Sequence, residues 1–192
     1  MTGASRASRP AMPRSPRDSS PIAVNDQSPP SDRTRTHEVV EISFASSGTN
    51  GHPGNVVEGR YFRSRQAGPK PLVVVLPIWG TSDYPPQKIS TGYARRAGFD
   101  AHIIRLYGTA PLFPWSTLSS APTEESFIAM ARDSAERYRT AVVDLRRLID
   151  WASTQPEIDS SRIAFVGFSM SALVTATLMG NEPRVAAGVL MM

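Results

Sequence analysis

The residues with the clearest chemical content are Gly167-Phe168-Ser169-Met170-Ser171. They follow a short apolar run at 163–166 and precede a helical pattern at 171–179. The spacing matches G-x-S-x-G with serine in the last place, the pattern of a nucleophile elbow. In such a turn the chain passes sharply from strand to helix, which strains the central serine and lifts its hydroxyl above the sheet. Residues two before and two after the serine run close to neighbouring backbone and must be small. Gly167 meets this fully and Ser171 nearly so, and a Ser171→Gly change is expected to be tolerated. A helix start beneath Ser169 also favours negative charge developing there. Ser169 is thus the candidate nucleophile, against the plainer reading of a tight turn with a capping serine.

A serine hydroxyl needs a base to take its proton, and the base needs an orienting carboxylate. The chain has no cysteine and three histidines, His37, His52 and His102. After Ser169 it carries one acidic residue, Glu182, and no histidine. His102 falls in a predicted strand and reads as a buried, satisfied histidine, while His37 and His52 fall at a tail junction and in a hairpin loop. None reads as the base. Asp144 and Asp150, near Arg146 and Arg147, read as solvated ion pairs, Asp159 as a turn cap and Asp83 as a candidate pocket residue. There is no metal-ligand spacing, phosphate loop or dinucleotide fingerprint, so no metal and no cofactor are expected.

The elements that must position this turn follow from periodicity. Runs at 39–44 and 56–62 flank a Gly/Asn/Pro-rich loop and predict a β-hairpin. Residues 71–76 are apolar throughout, as in a central strand buried on both faces. A helix is predicted over 86–97, with Gly98 as its C-cap, and a strand over 101–106. Thr123 is the N-cap expected for a long helix to about 154, with Val142, Leu145, Ile149 and Ala152 on one stripe and Trp151 widening it. Pro156 ends that helix. A further strand starts at 184. The order is a hairpin and then β-α-β-α-β-α-β, which implies an α/β fold of about six strands, mostly parallel, with helices on both faces.

Net charge is +4 in 192 residues, and residues 1–36 hold six arginines against three aspartates. The rest of the chain is therefore near neutral, which argues against a nucleic-acid-binding surface. That leader has six prolines, seven serines and no aromatic residue, and is expected to be a disordered tail ahead of a domain over 37–192. No apolar run approaches the roughly 20 residues that span a membrane, and the N-terminus lacks the apolar core of a secretory signal. The expected address is the cytoplasm, with no membrane partner.

Residues 144–151, 155–163 and 167–170 together resemble the α/β-hydrolases, in particular the dienelactone hydrolases and the prolyl-oligopeptidase-like esterases and peptidases. The resemblance covers about 38–192. It implies a three-layer sheet with an antiparallel hairpin at its N-terminal side, and a small-molecule carboxylic ester cleaved through an acyl-Ser169 intermediate. It also implies an oxyanion loop after the 71–76 strand. That loop lacks the family's His-Gly, and Trp79 ahead of Gly80 is the candidate donor, with the N–H of Met170 as the second. The family places its acid and histidine beyond later strands, so the expectation is an N-terminal portion of such an enzyme. Its sheet would be incomplete at the C-terminus, and its last strand would be an apolar edge prone to self-association. A non-catalytic relic or binding module is the alternative. A thioesterase, acyltransferase or peptidase of the same fold is a further one.

Overall fold

The computed structural model describes residues 21–25, 36–47, 56–78, 85–96, 100–107 and 122–192. Seven strands form one sheet: β1 (Ala23–Asn25), β2 (His37–Ala45), β3 (Val56–Ser64), β4 (Lys70–Val75), β5 (His102–Leu106), β6 (Ile158–Phe168) and β7 (Val185–Met191). Among the described residues three helices accompany them: α1 (Pro85–Arg96), α2 (Glu124–Ala152) and α3 (Met170–Asn181). The strand order is β1-β2-β3-β5-β4-β6-β7. Strands β5, β4, β6 and β7 are parallel, whereas β1, β2 and β3 join them by antiparallel pairing.

The hairpin owes its register to alternation and charge. Val40, Ile42 and Phe44 of β2 face one core while Glu38 and Glu41 stand directly across from Arg63 and Arg60 of β3. Those pairs close at 2.5 and 2.8 Å. Central β4 lies between two parallel neighbours and buries Leu72, Val74 and Val75 completely. A Thr123 capping box starts α2, as its sequence predicts. Leu145, Leu148, Ile149 and Ala152 of α2 then join Val174 and Leu178 of α3 over one face of the sheet. On the other face Ala94 of α1 packs near Val75, Ile103 and Phe168. Three layers result.

Two expectations need revision. The leader over 1–36 is not uniformly without structure. Ala23, Val24 and Asn25 pair antiparallel with Ser43, Ile42 and Glu41, and Ile22 packs against the larger core. The outer backbone groups of β2 and an apolar anchor are enough to order a short segment that composition alone marks as polar. Residues 1–20 and 26–35 lie outside the described set. Second, Asp144 is not a solvated surface charge. It is buried, accepting from the Ser46 hydroxyl at 2.5 Å and the Ser47 N–H at 2.7 Å.

The N-terminal ends of the parallel strands hold a buried polar cluster. His102 Nδ1 accepts from the Ser64 N–H at 3.1 Å and Nε2 lies 2.9 Å from the Glu157 carbonyl, so the ring is neutral with its proton on Nε2. Tyr61 packs its ring 5.6 Å from the imidazole, and Trp151 meets Tyr61 edge-on. Burial holds the His102 pKa below its ordinary 6.5. The unfolded chain therefore binds a proton that the folded chain refuses, and stability falls as pH drops below about 6.5. One such proton gives a slope of up to about 1.4 kcal/mol per pH unit. Urea midpoints measured down through that range should decline, and His102→Gln should flatten the decline. An unchanged slope in the variant would assign it to other groups.

Strand β7 pairs with β6 on one side and with no described strand on the other. Its Val189, Leu190 and Met191 are exposed and carry no charge among them. A polypeptide of these 192 residues is expected to self-associate through this edge. Sedimentation velocity across a concentration series tests it, and a monodisperse monomer throughout would contradict it.

Candidate functional site

Strand β6 ends at Phe168 and α3 begins at Met170, so a single residue, Ser169, makes the turn. Its φ of 51° and ψ of −123° make it the one non-glycine with positive φ among the described residues. Such a conformation costs on the order of 1–3 kcal/mol and persists only where its surroundings impose it. The Ser169 N–H donates to the Met191 carbonyl of β7 at 2.8 Å, and its carbonyl accepts from the Ala172 N–H at 2.9 Å. The Ser171 hydroxyl accepts from the Phe168 N–H and donates to the Phe168 carbonyl, both at 2.8 Å. Next along β4, the Leu76 N–H donates to the Val166 carbonyl at 2.8 Å. The Ser169 side chain is exposed and makes no capping hydrogen bond. Met170 is the first residue of α3, so its N–H has no acceptor within the helix and sits at the positive end of the helix dipole.

Four of the sequence-predicted site residues therefore meet in one turn: Gly167, Ser169, Met170 and Ser171. Trp79 and Asp83 lie outside the described residues, as does His52. The described histidines are far away. His102 stands level with Leu72 and Ile163 across the sheet, at the opposite end of β6 from Ser169. Six residues of strand separate those levels, about 20 Å. His37 is at the same far end, with Nε2 3.0 Å from the Ala101 carbonyl. Glu182 lies beyond the other end of α3 and is buried. Arg184 Nε and Nη2 reach its carboxylate at 2.8 and 2.7 Å, and Arg146 Nε reaches it at 3.4 Å. The hydrogen bonds from Arg184 hold its pKa below the usual carboxylate value. Asp150 pairs with Arg184 at 2.8 Å, and Asp159 caps its turn by accepting from the Ser161 N–H at 3.0 Å. Among the described residues no group of three or more His, Asp or Glu side chains could hold a metal.

A sequence profile of the dienelactone hydrolase family matches residues 57–191, most of the chain. The protein belongs to that family. No curated protein matches it. Solved structures with the same fold include acetyl xylan esterase 1 from Thermoanaerobacterium sp. JW/SL YS485, 15% identical with a TM-score of 0.59 over 89% of this chain and 52% of that one. Acetyl xylan esterase from Paenibacillus sp. R4 is 14% identical with a TM-score of 0.53, over 90% of this chain and 52% of that one. A cold-adapted esterase from an Arctic intertidal metagenomic library is 15% identical with a TM-score of 0.53, over 82% and 61%. The chain thus spans about half the length of the two xylan esterases.

In this dienelactone hydrolase family member the two small flanks of Ser169 are not equivalent. A Cβ on Gly167 would lie 2.7 Å from the Ser171 carbonyl carbon and press on the Thr175 hydroxyl as well. Ser171 is small enough to bury, but its hydroxyl also ties Phe168 into the turn. The freely tolerated Ser171→Gly expected from the pattern therefore gives way to a modest loss. Gly188 of β7 is a contact missed in the sequence. It admits Met179 and Thr175 of α3, and a glycine inside an apolar strand is the available signal of such an approach. Gly167→Ala should lower stability by about 1–3 kcal/mol through overpacking. Ser171→Gly should lower it by about 1–2 kcal/mol through lost hydrogen bonds and added backbone freedom. Chemical denaturation checks both, and a neutral Gly167→Ala would contradict the close packing of α3.

Proposed function

We propose that this protein is a serine hydrolase that cleaves carboxylic esters through an acyl-Ser169 intermediate. The observation that carries the reading is the exposed Ser169 with positive φ, set alone between the end of β6 and the head of α3. Membership of the dienelactone hydrolase family and the esterase fold relatives support the reaction class.

In this mechanism Ser169 Oγ attacks the ester carbonyl carbon and loses its proton to a base. The carbonyl π pair moves to oxygen, and the Met170 N–H stabilises the oxyanion at the head of the helix. Trp79 contributes the second donor from the segment after β4. The C–O bond to the alcohol then breaks, and the leaving oxygen takes the proton. Water attacks the acyl carbon by the same route and frees Ser169 Oγ. His37 and His102 stand at the far end of the sheet and Glu182 is bound by Arg184, which supports a base other than these three. We assign the general base to none of the described histidines. The substrate is a small ester met in the cytoplasm, and no cofactor enters the reaction. Among the described residues no helix is long and apolar enough to cross a membrane.

The commitment of His37, His102 and Glu182 away from Ser169 favours one second reading, a binding protein that keeps the fold without turnover. A fluorophosphonate probe separates the two. Mass spectrometry should map its adduct to Ser169, and Ser169→Ala should remove that adduct. Equal labelling of the variant would mean another serine reacts. No adduct on the wild type, with an ester analogue bound equally by both proteins, would favour the binding module.

A further inference from the structure

Helix α2 is longer than the surface that it covers. Its buried side chains begin at Asp144, although the helix starts at Glu124. The apolar stripe does not stop there. Phe127, Ala131, Tyr138, Leu145 and Ile149 all fall within about 40° of one another at 100° per residue. Hence the stripe that packs on the sheet continues along the first half of α2, where Phe127 remains 47% exposed. Ser134 occupies the position on this stripe between Ala131 and Tyr138, and it is small.

The direction of that overhang is set by Tyr138. Its hydroxyl donates to the Leu173 carbonyl of α3 at 2.8 Å and lies 2.5 Å from the Thr177 hydroxyl. The C-terminus of α2 leads into the start of β6, so its N-terminal half extends toward the end of β6, where Ser169 sits. Phe127 lies eleven residues before Tyr138, about 16 Å along the axis. On α3, Met170 and Leu173 are seven and four residues before Thr177, so they share its α2-facing side to within about 40°. Both are exposed, at 39% and 43%. At about 1.5 Å per residue from the Tyr138 contact, Ala131 and Ser134 stand level with Met170 and Leu173, and Phe127 stands about 6 Å beyond the head of α3. Short Ala131 and Ser134 thus lie opposite the exposed Met170 and Leu173, with Phe127 at the far end.

We infer that an interhelical groove lies here beside the Ser169 turn, that it binds the apolar tail of the ester substrate, and that the preferred esters carry a medium-length aliphatic or aryl group. This rests on the reading of Ser169 as nucleophile. It differs from the acetyl group for which two of the solved fold relatives are named. Continuity with the Ser169 turn favours a substrate tail over a second copy of the chain, because the groove runs into the residue that would hold the acyl carbon.

The test uses n-alkylboronic acids from ethyl to octyl, titrated calorimetrically on the 192-residue protein. The methyl of labelled Met170 is followed by NMR in parallel. Affinity should rise about fourfold for each methylene that the groove buries, with the longer members shifting the Met170 methyl. Phe127→Ser and Ala131→Trp should each flatten the rise, the first by removing the far end of the groove and the second by filling it. Ser169→Ala should weaken every member by one common factor and keep the slope. Affinity flat with chain length, or no measurable octyl binding, overturns the groove, as does a slope unchanged in both groove variants. If the flat series is joined by loss of self-association in Phe127→Ser, the stripe serves a second copy instead. If Ser169→Ala binds ethyl and octyl as the wild type does, the nucleophile reading fails while the slope still judges the groove.

Discussion

The tightest backbone-to-backbone approach among the described glycines is between Gly167 and the first turn of α3. There is no space for a Cβ between that strand residue and the Ser171 carbonyl. Because α3 starts one residue after β6 ends, its first turn must lie directly on the last residues of the strand. One helical turn and more below, Thr175 and Met179 press on Gly188 of the neighbouring strand. The helix is thus seated on two glycines in adjacent strands. A chain that leaves β6 at that height and enters α3 at that distance cannot make the turn with an ordinary backbone. The positive φ of Ser169 is the geometric consequence, and the exposure of its side chain follows from it.

That strain persists because the turn is held from three sides. Strand β7 accepts the Ser169 N–H, the Ser171 hydroxyl holds both backbone groups of Phe168, and the Leu76 N–H at the end of β4 donates to Val166 just below. Each bond is worth about 1 kcal/mol net, so together they match the cost of one disfavoured conformation. The far end of α3 is anchored electrostatically. A carboxylate just past a helix C-terminus meets the negative end of the dipole. Glu182 is nonetheless kept ionised there, because Arg184 binds both its oxygens and links it to Asp150 of α2. The same arginine therefore fixes the path into β7, and β7 carries the carbonyl that receives the Ser169 N–H.

Much of this was legible from residue types. An apolar run such as 71–76 can be buried only between two strands, and it is. Thr123 sits ahead of an acidic first turn and caps α2. The Gly-x-Ser-x-Ser spacing placed the strand-to-helix break at the right residue. What was not legible depended on partners distant in sequence. Strand β6 begins at Ile158 rather than near 163, because Lys70 of β4 supplies pairing for a stretch whose Asp159, Ser160 and Ser161 look like loop. Asp144 reads as a surface charge from its arginine neighbours, and only the approach of Ser46 and Ser47 shows otherwise. Ala23, Val24 and Asn25 are too few to signal a strand without the open edge of β2.

The two ends of the parallel strands are chemically distinct, and this limits where a proton acceptor for Ser169 can stand. At the N-terminal end the imidazole of His102 is wedged between the Ser64 N–H and the Glu157 carbonyl, with Tyr61 against its ring. Turning it toward any other partner would leave buried backbone groups unpaired, at about 1–3 kcal/mol each. At the C-terminal end two described polar side chains have partners, while Gln87 Oε1 is buried without one and Ser169 is exposed. The Tyr107 hydroxyl, just past β5, donates to Glu41 of β2 at 3.2 Å, and Gln87 of α1 donates to the Leu106 carbonyl. Ser169 itself is exposed at the C-terminal end of β6, at the head of α3. On the proposed reading of Ser169 as nucleophile, base and ester would both reach it at that end. The proposed nucleophile and the proposed groove would together orient the ester, with its tail along α2 and α3 and its carbonyl carbon at the turn.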